Sequence, residues 1–242
     1  PELLAEGWPV AGARVERFGE IPAPGLELPT TGGFEGWLQS KSKNFRQQIR
    51  RGRRKLDKMG AEWRVSTEGD ELSRDLESFA RLHRARWSHK GGSGVLSGPI
   101  EQMLHDAAAE LPGDRLRVYS IDVDGESISS QVFVGAGDEL VYWNGGFDER
   151  FAAHHPALQT LVFAIEDAFT RGEGRVDLGA GAQDYKYRLA SGEEKLEFAR
   201  VVAPDALTRL RYAPERLRRS ASGHLSDGQK TRIRALMRRS PA

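Results

Sequence analysis

The chain has 242 residues, 36 of them Lys or Arg and 35 Asp or Glu, for a formal net charge of +1. Charged residues make up 29% and hydrophobic residues 38%. No apolar run approaches the ~18 residues of a membrane-spanning helix, and the apolar content is too high for a wholly disordered chain. Cysteine is absent. That excludes a disulfide scaffold, a Cys-based zinc site, an iron–sulfur cluster and a cysteine nucleophile, and it accords with a cytoplasmic location. A chain of this length buries roughly 70% of its unfolded surface, enough for a sizeable core.

The near-neutral total conceals a segregation. Residues 41–58 hold nine basic residues and one acidic one, residues 207–242 hold ten and two, and the remainder carries a net −15. Two basic segments on an acidic body suit a polyanionic partner: nucleic acid, lipid head groups or the phosphates of a cofactor. They equally suit basic helices packed against acidic neighbours.

In chain order, residues 1–29 read as irregular, with Pro9, Pro22, Pro24 and Pro29 and four glycines between them. The first ten residues lack the basic and apolar regions of a signal peptide. Residues 34–40 form a short helix after the Thr31-Gly32-Gly33 turn. Phe45, Ile49, Gly52, Leu56 and Met59 then recur at helical spacing, one narrow stripe ringed by arginines and closed by Gly60. Residues 62–67 alternate weakly, as a strand. Residues 70–89 form a long amphipathic helix on Leu72, Leu76, Phe79 and Leu82. A glycine-rich loop follows over 90–98, then a helix over 100–111.

Three strands come next, at 116–122, 127–134 and 139–144. Asp124-Gly125 is the hairpin turn between the first two. Residues 156–171 form a helix with Leu158, Leu161, Val162, Ile165 and Phe169 on its apolar face. Short strands follow at 175–178 and 196–202, and a helix with an arginine-rich tail runs from Pro204. This order predicts an α+β fold with a mixed sheet.

No Gly-x-Ser-x-Gly elbow, Walker loop or dinucleotide fingerprint occurs. His83 and His89 are six apart and His154 and His155 are adjacent, spacings that build no metal site on a regular element. Ser127, Ser129 and Ser130 lie in a strand as packing or pocket-lining residues.

Four segments together carry a family resemblance. They are the arginine-rich helix 45–56, Leu82-His83-Arg84-Ala85-Arg86-Trp87 closing a long helix, Tyr142-Trp143-Asn144-Gly145-Gly146-Phe147-Asp148 ending a strand, and the stretch from Gly179 through Asp184-Tyr185-Lys186 to Arg188. Their order and spacing resemble the CelD-like acyltransferase domain of the cellulose-biosynthesis type. That domain belongs to the GNAT, or acyl-CoA N-acyltransferase, superfamily and is distantly similar to the FemAB aminoacyltransferases. The resemblance covers about residues 35–200. It implies a GNAT-like, mostly antiparallel mixed sheet flanked by helices. It also implies that residues 1–40 are a linker and the end of a truncated N-terminal half, 41–203 the acyltransferase domain, and 204–242 a basic C-terminal helix and tail.

The chemistry implied is direct attack of an amine acceptor (a small molecule, a sugar or a peptide) on the thioester of acyl-CoA, acetyl-CoA first among them. The setting implied is polysaccharide or cell-envelope biosynthesis, with no metal. The donor's pyrophosphate would lie on backbone N–H groups entering a helix, where the dipole favours an anion. By resemblance that place holds His154, His155, Ala157, Leu158, Gln159 and Thr160. The family tends to place a small residue, Pro and Gly where this chain has His155-Pro156-Ala157, and alanine lacks glycine's access to positive φ. Tyr142, Asp148, Tyr185 and Lys186 are the implied catalytic residues. Asp148 would bind or deprotonate the amine, Tyr185 would protonate the leaving thiolate, and Lys186 would bind a substrate carboxylate or phosphate. His83, Arg86 and Trp87, at i, i+3 and i+4, would wall the acceptor pocket with Asn144. Strand alternation puts Tyr142 and Asn144 on one face and Trp143 on the other.

Two other readings stand beside this one. A FemAB-like enzyme would take its donor from aminoacyl-tRNA and lay the arginines along RNA phosphates. A non-catalytic nucleic-acid-binding module would want more aromatic residues in the basic segments than Phe45 and Tyr212.

Overall fold

The computed structural model describes residues 3, 6–7, 12–88, 92–96, 98–111 and 113–203. The strands are β1 (Arg14–Glu27), β2 (Glu62–Ser66), β3 (Leu116–Val123), β4 (Glu126–Ala136), β5 (Glu139–Phe147), β6 (Arg175–Asp177) and β7 (Gly192–Val202). The helices are α1 (Gly33–Ser40), α2 (Lys43–Asp57), α3 (Gly69–Ser88), α4 (Gly98–Glu110), α5 (Pro156–Arg171) and α6 (Asp184–Leu189). One mixed sheet runs in the order β2-β3-β4-β5-β6-β1-β7. The meander β2 to β5 is antiparallel, β5 and β6 are parallel, and β6 and β1 are antiparallel. The expected α+β mixed sheet flanked by helices is what the chain forms.

Both faces of the sheet are covered, which is why every residue of β3 is buried. On one face α5, with α1 and α2, packs Trp37, Phe45, Ile49, Leu161 and Ile165 against Tyr119, Phe133 and Leu140. On the other face α3 and α4 pack Leu72, Leu76, Phe79 and Leu104 against Val118 and Val132. The stripe read from the sequence is the buried side of α2: Phe45, Ile49, Gly52 and Leu56. Ser42 caps that helix by accepting from the Phe45 N–H at 3.3 Å. The β3–β4 turn takes positive φ at Asp124 (52°) and Gly125 (76°), as a two-residue hairpin needs.

Three segments differ from expectation. Residues 14–27, read as irregular because of their prolines, form β1. A proline loses an N–H but keeps its carbonyl, and the Pro22 and Pro24 carbonyls accept from the Gly181 and Leu178 N–H groups at 2.8 and 3.2 Å. The stretch around Tyr185, assigned no element between the strands read at 175–178 and 196–202, is the short helix α6. Strand β5 runs three residues beyond Asn144, to Phe147. The helix expected from Pro204 and the tail beyond it lie outside the described residues.

The chain divides into two units, Ile21–Leu196 and a second whose described residues are 3, 6–7, 12–20 and 197–203. Within the second, Phe18 stacks on Phe198 at 6.0 Å and Arg17 pairs with Glu197 at 3.0 Å. The layered core and all the chemistry described below lie in the first.

Candidate active site

The sheet opens at its middle. Pairing between β5 and β6 covers only Glu139, Leu140 and Val141, opposite Arg175, Val176 and Asp177. From Tyr142 to Phe147, β5 keeps β4 as its partner while the chain after β6 turns away. Backbone groups of β5 on the β6 side therefore face a gap. Gly179 lines that gap at φ 77°, so close that a Cβ there would lie 3.1 Å from the Tyr142 carbonyl oxygen.

A β-bulge sits at the same place. Val132 pairs with Asn144 and Phe133 pairs with Tyr142, leaving Trp143 as the extra residue. The bulge breaks the expected alternation. Tyr142 follows Phe133 onto the α5 face, where the two rings meet edge to face at 5.3 Å. Asn144 follows Val132 onto the α3 face, where Trp143 packs against Phe79. Tyr142 and Asn144 thus lie on opposite faces, contrary to the sequence reading. The Asn144 side chain accepts from the Gly145 N–H at 2.8 Å and braces the bulge. Gly146 has no room for a side chain, since a Cβ would lie 2.5 Å from the His83 backbone nitrogen.

Helix α3 leans on this strand end. His83 is buried, with Nδ1 3.3 Å from the Gly145 carbonyl oxygen and Nε2 2.8 Å from the Ser93 hydroxyl. A carbonyl only accepts, so Nδ1 carries the proton and Nε2 takes the Ser93 hydrogen. Burial lowers the imidazole pKa; the Gly145 carbonyl opposes that shift, and Arg86 and Arg84 add to it. The unfolded chain then binds more protons than the folded protein below a pH of about 6.5, so stability falls as the pH drops through that value. Urea midpoints should decline from pH 7.5 to pH 5.5, and His83→Gln should flatten the decline. An equally steep decline in the variant would assign it to other groups.

Arg86 and Trp87, one turn further on, are half-buried. The Arg86 guanidinium lies over the Phe147 ring at 4.7 Å, and Trp87 lies 6.2 Å from the His83 ring. The charge of Arg86 acts on both Tyr142 and Tyr185, and those two phenols act on each other. Desolvation raises both phenol pKa values, so both stay protonated at neutral pH. Arg86 thus carries the nearby positive charge felt by both phenols, and His83, one turn before it, holds the strand end at Gly145.

Lys186 is buried, and its ammonium donates to the Gly179 and Ala180 carbonyls at 2.9 and 2.8 Å. Expected to bind substrate, it instead clamps the glycine turn that borders the gap. Asp148, expected at the acceptor amine, accepts from the Arg150 N–H at 2.9 Å and from the Arg150 guanidinium. These bonds hold its pKa below the ordinary carboxylate value. A carboxylate so engaged is the cap of the turn Glu149–His154 rather than a free base.

Helix α5 starts beside the gap. His155 takes the left-handed conformation (φ 53°, ψ 47°) and Pro156 opens the helix. Ala157 has no positive φ, so the strain expected of alanine there does not arise; the histidine before the proline carries the unusual dihedral. The first-turn N–H groups of Ala157 and Leu158 have no acceptor within the helix. The Ala157 carbonyl accepts from Gln131 Nε2 at 2.7 Å, and Gln131 pairs with Gly145, which ties the helix start to the gap. Two of the residues expected to bind cofactor have other work. Gln159 is buried and donates to the Ile49 carbonyl at 3.2 Å, and Thr160 is buried against Ser129 at 2.8 Å.

A cleft of about 780 Å³ adjoins this helix start. Its walls are α2 residues from Asn44 to Lys55 and the turn Ala153, His154 and His155. Pattern reading singled out α2 as basic but did not bring it here. The signal was available: Asn44, Gln47, Arg51, Arg54 and Lys55 fall on one helical face. The close approach of α2 to α5 depends on Gly52, where a Cβ would lie 2.2 Å from Gln159 Nε2. Gly52→Ala should cost about 1–3 kcal/mol in urea unfolding, because the buried Gln159 must give way. An unchanged midpoint would show that the helices separate without strain.

Among the described residues, no group of three or more His, Asp and Glu side chains converges as a metal site would. No described helix is long and apolar enough to cross a membrane.

A mixed sheet that splays between two parallel strands, with a helix start aimed at the opening, defines a GNAT-type acyltransferase fold. The chain belongs to the acetyltransferase (GNAT) domain family, whose model matches residues 43–187. No curated protein matches the chain in sequence. Solved structures share the fold at low identity. The C-terminal domain (DUF2156) assigned to a lysylphosphatidylglycerol synthetase from Agrobacterium fabrum superposes with a TM-score of 0.52 at 14% identity, over 84% of this chain and 65% of that one. FemX superposes with a TM-score of 0.57 at 11% identity, over 82% of this chain and 67% of that one. A conserved protein of unknown function from Bacteroides thetaiotaomicron VPI-5482 gives 0.55 at 11% identity, over 83% of this chain and 65% of that one. The chain thus spans about two thirds of the length of these structures.

Proposed function

We propose that the chain transfers an acyl group, acetyl first among the candidates, from acyl-CoA to an amine by direct attack. The observation that carries the reading is the gap between β5 and β6, with the start of α5 tied to it through Gln131. The free N–H groups of Ala157 and Leu158, in the field of the α5 dipole, suit a pyrophosphate. The cleft beside them supplies room for the rest of a nucleotide. When bound, acyl-CoA supplies the activated thioester.

The chain's residues then divide the work. Backbone N–H groups of β5 that face the gap polarise the thioester carbonyl. Arg86, Trp87 and Asn144 border the acceptor side. Lys186 and His83 are positioning residues that hold the two walls of the gap. Tyr185 serves the leaving sulfur. The nitrogen–carbon bond forms, the carbon–sulfur bond breaks, and the proton lost by nitrogen ends on sulfur. The reading places the reaction in the cytoplasm. Within the family, the aromatic-Asn-Gly-Gly-Phe-Asp strand end supports a CelD-like subtype with a sugar, peptide or small-molecule amine as acceptor, in polysaccharide or cell-envelope biosynthesis.

Transfer from aminoacyl-tRNA is the second reading, favoured by the basic run 41–58. Against it, three of the nine cations are engaged within the chain: Arg50 by Glu35, Arg53 by Asp57 and Glu166, and Lys41 by the Leu189 carbonyl. The test is thiol release from acetyl-CoA with a panel of amines, run beside transfer from aminoacyl-tRNA. Amine-dependent thiol release supports the first reading. Transfer from aminoacyl-tRNA with no thiol release from acetyl-CoA overturns it.

A further inference from the structure

The cations of α2 differ in their partners, and Arg50, paired with Glu35, borders the cleft as well. Arg50 and Arg53, on the side toward α1 and α5, meet carboxylates of Glu35, Asp57 and Glu166. Arg51, Arg54 and Lys55 line the cleft, and among the described residues no carboxylate or carbonyl takes their charge. They stand at i, i+3 and i+4, one turn of one helical face. Across the cleft, Nδ1 of His154 is buried without a hydrogen-bond partner. Three exposed cations side by side on one helical turn concentrate positive charge at the cleft wall. It is complementary to a dense anion.

We infer that Arg51, Arg54 and Lys55, with His154 opposite, form a second phosphate site that takes the 3′-phosphate of the donor's 3′-phospho-ADP. The inference rests on the acyl-CoA reading and adds a subsite to it. A phosphomonoester carries a charge of about −1.5 to −2 and three acceptor oxygens at neutral pH. A phosphodiester of an RNA backbone carries one charge, and its phosphates are spread along a strand. Three cations clustered within one helical turn match the monoester. The site is concave, and the neighbouring face of α2 is neutralised by its own ion pairs. Both features suit a compact nucleotide rather than an extended strand. Because His155 borders the cleft and also caps α5, the second phosphate site adjoins the helix start proposed for the pyrophosphate.

The consequence is selectivity for the 3′-phosphorylated nucleotide. Calorimetry on the whole chain would compare CoA with 3′-dephospho-CoA. The expected result is binding of CoA about 10- to 100-fold tighter, from charge-assisted hydrogen bonds to the monoester. Arg51→Gln/Arg54→Gln should bring that ratio close to one and leave 3′-dephospho-CoA binding unchanged. Lys55→Gln, a milder change, should lower the ratio part of the way. Equal binding of the two compounds by the unmodified chain would overturn the inference and leave the acyl-CoA reading standing. Equal loss of both compounds in the double variant would overturn it too, by showing a general effect on the cleft. Binding of neither compound would overturn the acyl-CoA reading and the inference together. A single-stranded RNA probe whose binding disappears in the double variant, with the CoA ratio unchanged, would assign the face to RNA instead.

Discussion

Asp75→Ala should destabilise the fold by about 3 kcal/mol, among the largest effects expected of a single substitution away from the candidate site. Asp75 lies on α3 and is fully buried. Both its oxygens accept from Arg64 of β2, at 2.9 Å each, in a bidentate pair. Arg64 also donates to Asp122 of β3 at 2.8 Å. Around this group the Ser130 hydroxyl donates to the Asp75 carbonyl and the Ser120 hydroxyl to Ser130. The network fixes α3 to the β2–β3–β4 end of the sheet. Removing the carboxylate leaves a partly buried guanidinium with half its partners and opens a void in a close-packed layer. For a domain of this size, 3 kcal/mol corresponds to a fall in Tm of roughly 6–12 °C. Asp75→Asn, which keeps the shape and one acceptor, should lose distinctly less. Arg64→Ala, which leaves the buried Asp75 carboxylate with only Arg74 at 3.3 Å as ion partner and takes Arg64 from Asp122, should lose at least as much as Asp75→Ala. If Asp75→Ala melted within a degree or two of the unmodified chain, the network would be an ornament of the sheet edge and not a tie.

That network shows how much of the fold the sequence carries. The stripe Leu72, Leu76, Phe79 and Leu82 reveals α3 at once, because burial of one face imposes the helical period. Asp75 falls on the same stripe, and a carboxylate among core positions announces a buried partner. It does not name Arg64, which is brought near by strand pairing. The same limit explains the open end of β5. Tyr142, Gly145 and Gly146 were legible as an unusual strand end, yet the face each presents depends on a bulge set by register against β4, a contact between strands that no local pattern encodes.

The sequence places a helix start at Pro156, as the structure does, but not the directions of its side chains. Gln159 and Thr160 stand in the matching stretch, but helix geometry turns them into the core while the backbone N–H groups stay at the end. His155 shows the reverse case. A left-handed dihedral is rare outside glycine, so the sequence pointed to Ala157 as the missing glycine, and only the structure shows that the position one residue before the proline carries the turn. The cleft was the least legible feature. Its basic wall was plain as a charge run, but which of those charges are free follows from where Glu35, Asp57 and Glu166 fall in space.

On the proposed acyl transfer, Tyr185→Phe should lower kcat about 100-fold or more while leaving acetyl-CoA affinity nearly unchanged, the size expected on removing a positioned proton donor. Tyr185 and Tyr187 are two residues apart on α6, and the helix separates their roles. The Tyr187 hydroxyl bonds to Glu193. The Tyr185 hydroxyl has no hydrogen-bond partner among the described residues and faces the charge of Arg86. Desolvation raises its pKa, so the phenol enters each turnover with its proton. As the carbon–sulfur bond breaks, charge gathers on sulfur, and a donor aimed there stabilises the transition state more than the bound donor substrate. Arg86, close by, favours the phenolate that forms when the proton leaves, so Arg86→Gln should slow the same step without removing the donor. Tyr187→Phe is the control and should retain full kcat. The pH profile separates a chemical role from a packing one. The unmodified enzyme should lose activity on the alkaline side as Tyr185 ionises, at a pH above the ordinary phenol value of about 10, and Tyr185→Phe should lack that limb. A variant with full kcat, or one whose loss Tyr187→Phe reproduces, would remove Tyr185 from the chemistry and turn attention to water or to the backbone of β5 as the proton donor.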